Sequence, residues 1–186
     1  MRTLRRFSIK DLLIIAAMAA LGIAVKAIIV PVVQLVSASL FIPGGALAGG
    51  LYMMWLVIAA GITGKPGAAS LCGLVQAILV ILTGIGGSHG ILSLISYTLP
   101  GLAIDLWLLI SGHRICCLPC AFVACMLANL CGTITVNLLF FKTPLIPLLL
   151  SLAVAAFSGG AGGILSRYLL KALQKYDIIS GGDRTE

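Results

Sequence analysis

Asn129, Thr133 and Asn137 stand four residues apart inside one apolar stretch. On a helix that spacing places all three on one face. Lipid cannot hydrate an amide or a hydroxyl, so such a stripe either bonds helices to one another or lines a site for a polar molecule. At about 1.5 Å per residue, Asn129 lies roughly 12 Å along the helix from Asn137. The stripe is long enough to form the wall of a cup, and ligand lining is the favoured reading over interhelical bonding.

Other apolar stretches carry similar groups. Gln76 and Thr83 are seven apart, as are Ser151 and Ser158, and Ser93, Ser96 and Tyr97 cluster in a third stretch. Each hydroxyl alone says little, because Ser and Thr can bond to their own helix backbone. Together they describe a mostly apolar pocket with a few convergent neutral donors and acceptors.

Ionisable groups are scarce. Lys26 lies near the far end of the first apolar stretch, where it can extend its amine to the headgroups. Snorkelling is the expected role, and an anchor for an anionic ligand group or for the outer loop is the alternative. Asp105 is expected to pair with a nearby base such as Arg167 or Arg114. His89, in the loop "GSHG", is expected in solvent, with ligand contact as the alternative.

Among the six cysteines, the run "HRICCLPC" groups His113, Cys116, Cys117 and Cys120, a spacing that suits metal or thiol exchange. The orientation derived below places this run on the reducing side, which argues against a disulfide. Cys72, Cys125 and Cys131 fall inside apolar stretches, where cysteine packs as a small apolar residue. No metal site and no cofactor is expected. No Walker, H-E-x-x-H or G-x-S-x-G motif occurs, so no enzymatic activity is expected.

These residues must be positioned by elements that live in a bilayer. The chain has 186 residues, 61% of them hydrophobic and 9% charged, against about a quarter charged in soluble domains. Its mean hydropathy is +1.20. Six spans fit, at about 11–33, 44–63, 68–83, 91–111, 118–141 and 145–170. The first is a retained helix rather than a signal peptide, since "AALGIAVKAIIVPVV" runs on without a clear cleavage site. The expectation is an all-α integral membrane protein, one compact bundle of six transmembrane helices using the whole chain, 1–186, as a single domain.

Arg2, Arg5, Arg6, Lys10, Lys65, Arg114, Arg167, Lys171, Lys175 and Arg184 all fall on one side of such a bundle. Of the twelve basic residues only Lys26 and Lys142 remain for the other half. Basic residues mark cytoplasmic loops, so both termini are expected inside. The bases are scattered over short loops and termini, and nothing supports nucleic-acid binding. The outer connections, "QLVSASLFIPGG" and "GIGGSHG", are the long ones, and loops held by a rigid scaffold often carry function.

Ala16, Ala20 and Ala24 recur every four residues on the first span. Small-xxx-small spacing allows close helix approach in lipid, either within the bundle or against a partner. With "GKPGAAS" at Gly64–Ser70, the chain resembles the S component of an energy-coupling factor (ECF) transporter, the vitamin-uptake branch of the ABC transporters. The turn is similar to the Lys-Pro-Gly-Ala-Ala turn of its thiamine-related group. In that group carboxylates follow the turn, whereas here "LCGLVQA" offers Gln76 and no acid, which leaves a neutral or anionic vitamin or precursor open.

The resemblance implies docking of Ala16 and Ala20 on a T component, power from two ATPase subunits and a bacterial or archaeal cell membrane. It also implies a gate in the first outer loop. The substrate-contacting candidates are Asn137, Thr133, Asn129, Gln76, Tyr97, His89, Lys26 and Ser158. A self-sufficient permease and a membrane thiol or quinone oxidoreductase are the rival readings.

Overall fold

The computed structural model describes residues 7–37, 44–84, 90–112, 115 and 117–175. They form six α-helices: α1 (Ile9–Ser37), α2 (Gly44–Thr63), α3 (Ala68–Thr83), α4 (Ser93–Ile110), α5 (Leu118–Val136) and α6 (Leu145–Lys175). A 3-10 turn, Gly90–Leu92, leads into α4, and a π-turn, Asn137–Phe141, ends α5.

The second and third helices keep the bounds expected from hydropathy, but α1 and α6 run longer. Hydropathy finds the apolar part of a helix, whereas hydrogen bonding sets its ends. A reciprocal cap starts α1: the Ser8 amide donates to Asp11 Oδ2 at 2.7 Å, and the Asp11 amide donates to Ser8 Oγ at 3.3 Å. At the other end of the chain, "LLKALQK" is polar enough to leave the bilayer yet made of strong helix formers, so α6 continues to Lys175.

Five helices are long and apolar enough to cross a bilayer, and α3, with 16 residues, is the shorter sixth. At about 1.5 Å per residue it covers roughly 24 Å, less than the ~30 Å hydrocarbon core. Glycine fixes its outer end: Gly84 takes φ 67°, a left-handed conformation that only glycine adopts cheaply, and its amide closes on the Val80 carbonyl at 2.9 Å.

The bundle is built around α2, which packs on all five other helices. Its sequence explains why. Small residues at Gly44, Ala46, Ala48, Gly49 and Gly50 let neighbours approach the outer half, while Leu56, Val57, Ile58 and Ala59 fill the inner half. Where α2 meets α6, a β-carbon on Gly162 would lie 2.0 Å from the Gly50 carbonyl oxygen. Contact this close is the main source of attraction between helices in lipid. By contrast α1 lies at the edge, packing chiefly on α2 and α3.

An ion pair and a buried, hydrogen-bonded Asp organise the inner end. Lys65, in the turn between α2 and α3, pairs with Asp11 at 2.5 Å. Asp105 does not pair with Arg167, contrary to expectation. It reaches from α4 to the start of α3, accepting from the Ser70 amide at 2.8 Å, the Ala69 amide at 3.4 Å and the Ser70 hydroxyl. The first amides of a helix have no intrahelical partner and carry partial positive charge, so they compete well for a buried carboxylate. Arg167 donates instead to the Ile115 carbonyl at 3.2 Å, and Arg114 lies outside the described residues.

Candidate functional site

A cavity opens at the outer end between α2, α5 and α6. It holds about 360 Å³ of empty space, part of it open to the outside. Gly45 and Ala46 of α2 and Gly132 of α5 leave the room, and Tyr52, Thr133, Val136, Asn137, Phe141 and Ser151 line it. The wall is mostly apolar with an amide, a phenol and two hydroxyls, the balance typical of small-molecule sites.

Asn137 and Phe141, four residues apart at the two ends of the π-turn, line the same cavity. One extra residue per turn rotates the chain relative to an α-helix, and such turns gather at functional sites. The Lys142 amide closes the turn on the Asn137 carbonyl at 2.8 Å, with Lys142 itself left-handed at φ 45°. Asn137 is buried and donates from Nδ2 to the Thr143 hydroxyl, which fixes the plane of its amide. Tyr52 donates to the Gly45 carbonyl at 3.1 Å, and Ser151 to the Pro147 carbonyl at 2.8 Å. Those bonds hold both oxygens against their own helices while lone pairs stay available.

The Asn129–Thr133–Asn137 stripe therefore divides. Thr133 and Asn137 line the cavity, while Asn129 sits below it, 1% exposed. Its Nδ2 donates to the carbonyls of Ala46 at 3.1 Å and Ala155 at 2.8 Å, tying α5 to α2 and α6. Ser158 has a similar duty between α6 and α2. It accepts from the Gly50 amide at 3.0 Å and donates to the Leu47 carbonyl at 2.5 Å. Both residues make helix contacts with these groups, and Ser158 also lines an open apolar groove between α2 and α6. His89 lies outside the described residues, as does most of the first outer loop.

Lys26 does not snorkel. Its ammonium turns into the bundle, donates to the Tyr97 hydroxyl, and lies 4.3 Å from the Tyr97 ring centre and 5.5 Å from that of Tyr52. Two aromatic faces in a low-dielectric setting hold a cation better than the long reach to the headgroups. Gln76 is also inside, 2% exposed, with its amide nitrogen unpaired. Tyr52 thus joins two groups of residues: one face looks toward Lys26 and Tyr97, and the same side chain lines the cavity. Sequence reading passed over Tyr52. The available signal was a polar aromatic among small residues, in "GALAGGLYMMW".

On α1, Ile15 and Ala19 are buried, while Ala16, Ala20 and Ala24 face outward from the bundle. The alanine ridge is not spent on internal packing.

A bundle of this build, with its cavity at one end, is a multi-pass membrane protein with the S-component fold. A solved structure titled "Crystal structure of an S-component of ECF transporter" matches it with a TM-score of 0.79 at 19% identity, over 95% of this chain and 90% of that one. A family model described as "ABC-type cobalt transport system, permease component" matches residues 10–131. The chain belongs to that family of transport permeases. No curated protein matches it.

Proposed function

We propose that this chain is the substrate-capture subunit of an ECF-type importer. It takes a vitamin-sized organic molecule into the outer cavity and docks through α1 on a T component driven by two ATPase subunits in a bacterial or archaeal membrane. The observation that carries the reading is the cavity itself: a mostly apolar space with Asn137, Thr133, Tyr52 and Ser151 in its wall, at the outer end of an S-component fold. The outward ridge of Ala16 and Ala20 supports the docking half.

The matched family is described by cobalt, and the donor set argues for a different cargo. Cobalt binds imidazole, thiolate and carboxylate ligands. Among the described residues no three His, Cys, Asp or Glu side chains come together, and the cavity wall offers only an amide, hydroxyls and a phenol. The Lys26 ammonium, 5.5 Å from the Tyr52 ring centre, adds repulsion toward a divalent cation.

Mass spectrometry of small molecules released from the detergent-purified protein identifies the cargo. Uptake of that molecule into proteoliposomes, with and without the T component and ATPases, tests the role. Full uptake by the chain alone would make it a self-sufficient permease instead.

A further inference from the structure

Among the described residues the carboxylates lie away from the outer half: Asp11 opens α1 and Asp105 caps α3. The outer half, among the described residues, holds Lys26 and Lys142 and no acid. Lys142 is exposed at the junction of α5 and α6, where solvent can screen it. Lys26 is different, being turned inside among aromatic rings with no carboxylate to balance it.

The neighbourhood of Lys26 is rich in donors and poor in acceptors. Its ammonium has three N–H groups and bonds to one oxygen, that of Tyr97. One helical turn inward on α1, a β-carbon at Gly22 would lie 2.3 Å from Gln76 Nε2. Glycine there is what admits the carboxamide. That nitrogen is buried and has no partner. The Gly22 position also meets the Trp55 Cβ at 3.5 Å. Buried donors are almost always satisfied, and a buried charge without a counter-ion is unfavourable. A packing role would be better served by Met and Leu. The surplus points to an acceptor supplied from outside the chain.

We propose that Lys26, Gln76 and Tyr97 form an anion site for a carboxylate or phosphate of the cargo, so that the transported molecule is an organic anion. Tyr52 connects this site to the outer cavity, which takes the uncharged remainder of the molecule. The proposal rests on the capture reading above and narrows it to a charge class.

Inorganic phosphate serves as the probe, compared with chloride at equal ionic strength, on the full chain in detergent. Phosphate at several times its Kd should raise the Tm of the unsubstituted protein by about 2–4 °C. It should leave Lys26→Met unmoved, and Lys26→Arg should retain part of the shift. Without phosphate, Lys26→Met should be at least as stable as the parent, because an uncompensated charge has gone. Gln76→Leu, which removes the unpaired carboxamide, should likewise reduce the phosphate shift. No phosphate effect in the parent, or an equal effect in the substituted protein, overturns the anion site. So does a Lys26→Met protein that is less stable than the parent. None of these results touches the capture reading, which stands or falls on reconstituted uptake.

Discussion

A β-carbon on Gly49 would lie 1.8 Å from Oδ1 of Asn129, so this amide fits between α2 and α5 only because position 49 has no side chain. From there Nδ2 reaches the carbonyls of Ala46 and Ala155 on two different helices. Gly49→Ala should displace the amide and leave those bonds unmade. Losing a buried hydrogen-bonding partner costs about 1–3 kcal/mol, and about 2–4 °C of Tm accompanies each kcal/mol in a chain of this size. Thermal unfolding in detergent checks this, and an unchanged Tm would remove Asn129 as the clip between three helices.

Asn137 should behave differently from Asn129. It lines the cavity and its amide plane is set by Thr143. Asn137→Ala should weaken binding of the co-purified molecule by about five- to over a hundredfold, the equivalent of about 1–3 kcal/mol. The variant protein should remain monodisperse. Isothermal titration decides it: full affinity after the substitution would move the ligand out of this cavity.

Asp105 serves the scaffold. Three donors of Ala69 and Ser70 converge on it at the inner end of the bundle. Asp105→Ala should cost at least about 1.5–3 kcal/mol, the range for a bond to a charged group. The affinity measured at the outer cavity should hardly change. A variant of parental stability, or one that loses affinity while keeping its Tm, would contradict the capping role.

The outward alanines make a separate prediction. Ala20→Leu adds bulk at an exposed position of α1, so the isolated protein should fold and bind as before. Co-purification with the T component should fall to background, because close helix approach is what small residues permit. Undiminished co-purification would show that α1 docks elsewhere or not at all.

Both chain ends should report from the same compartment. Six helices return the chain to its starting side, and Lys10, Lys65, Arg167, Lys171 and Lys175 all gather there. Reporter fusions active only in the cytoplasm should work at either terminus. A signal from opposite sides would break the helix count.

The sequence by itself determined the number of helices among the described residues and their order. The bilayer imposes this directly: a crossing segment must be apolar for about twenty residues and must satisfy its own backbone. Hydropathy therefore located α2 and α3 at their observed bounds, and the small residues around Ala16 and Ala20 could be read as a contact face. Helical spacing also placed Asn129, Thr133 and Asn137 on one side of α5. What stands opposite that side was decided only by the tertiary structure. Periodicity fixes the direction of a side chain from its own axis, whereas its partner depends on which helices cross there and how closely. Glycines at 49 and 50 brought α2 against α5 and α6, turning Asn129 and Ser158 into helix contacts and leaving Thr133 and Asn137 for the cavity. Lys26 has the same explanation. Its place near the end of a span allowed a reach to the headgroups, but Tyr52 and Tyr97, distant in the chain and adjacent in the fold, drew it inward.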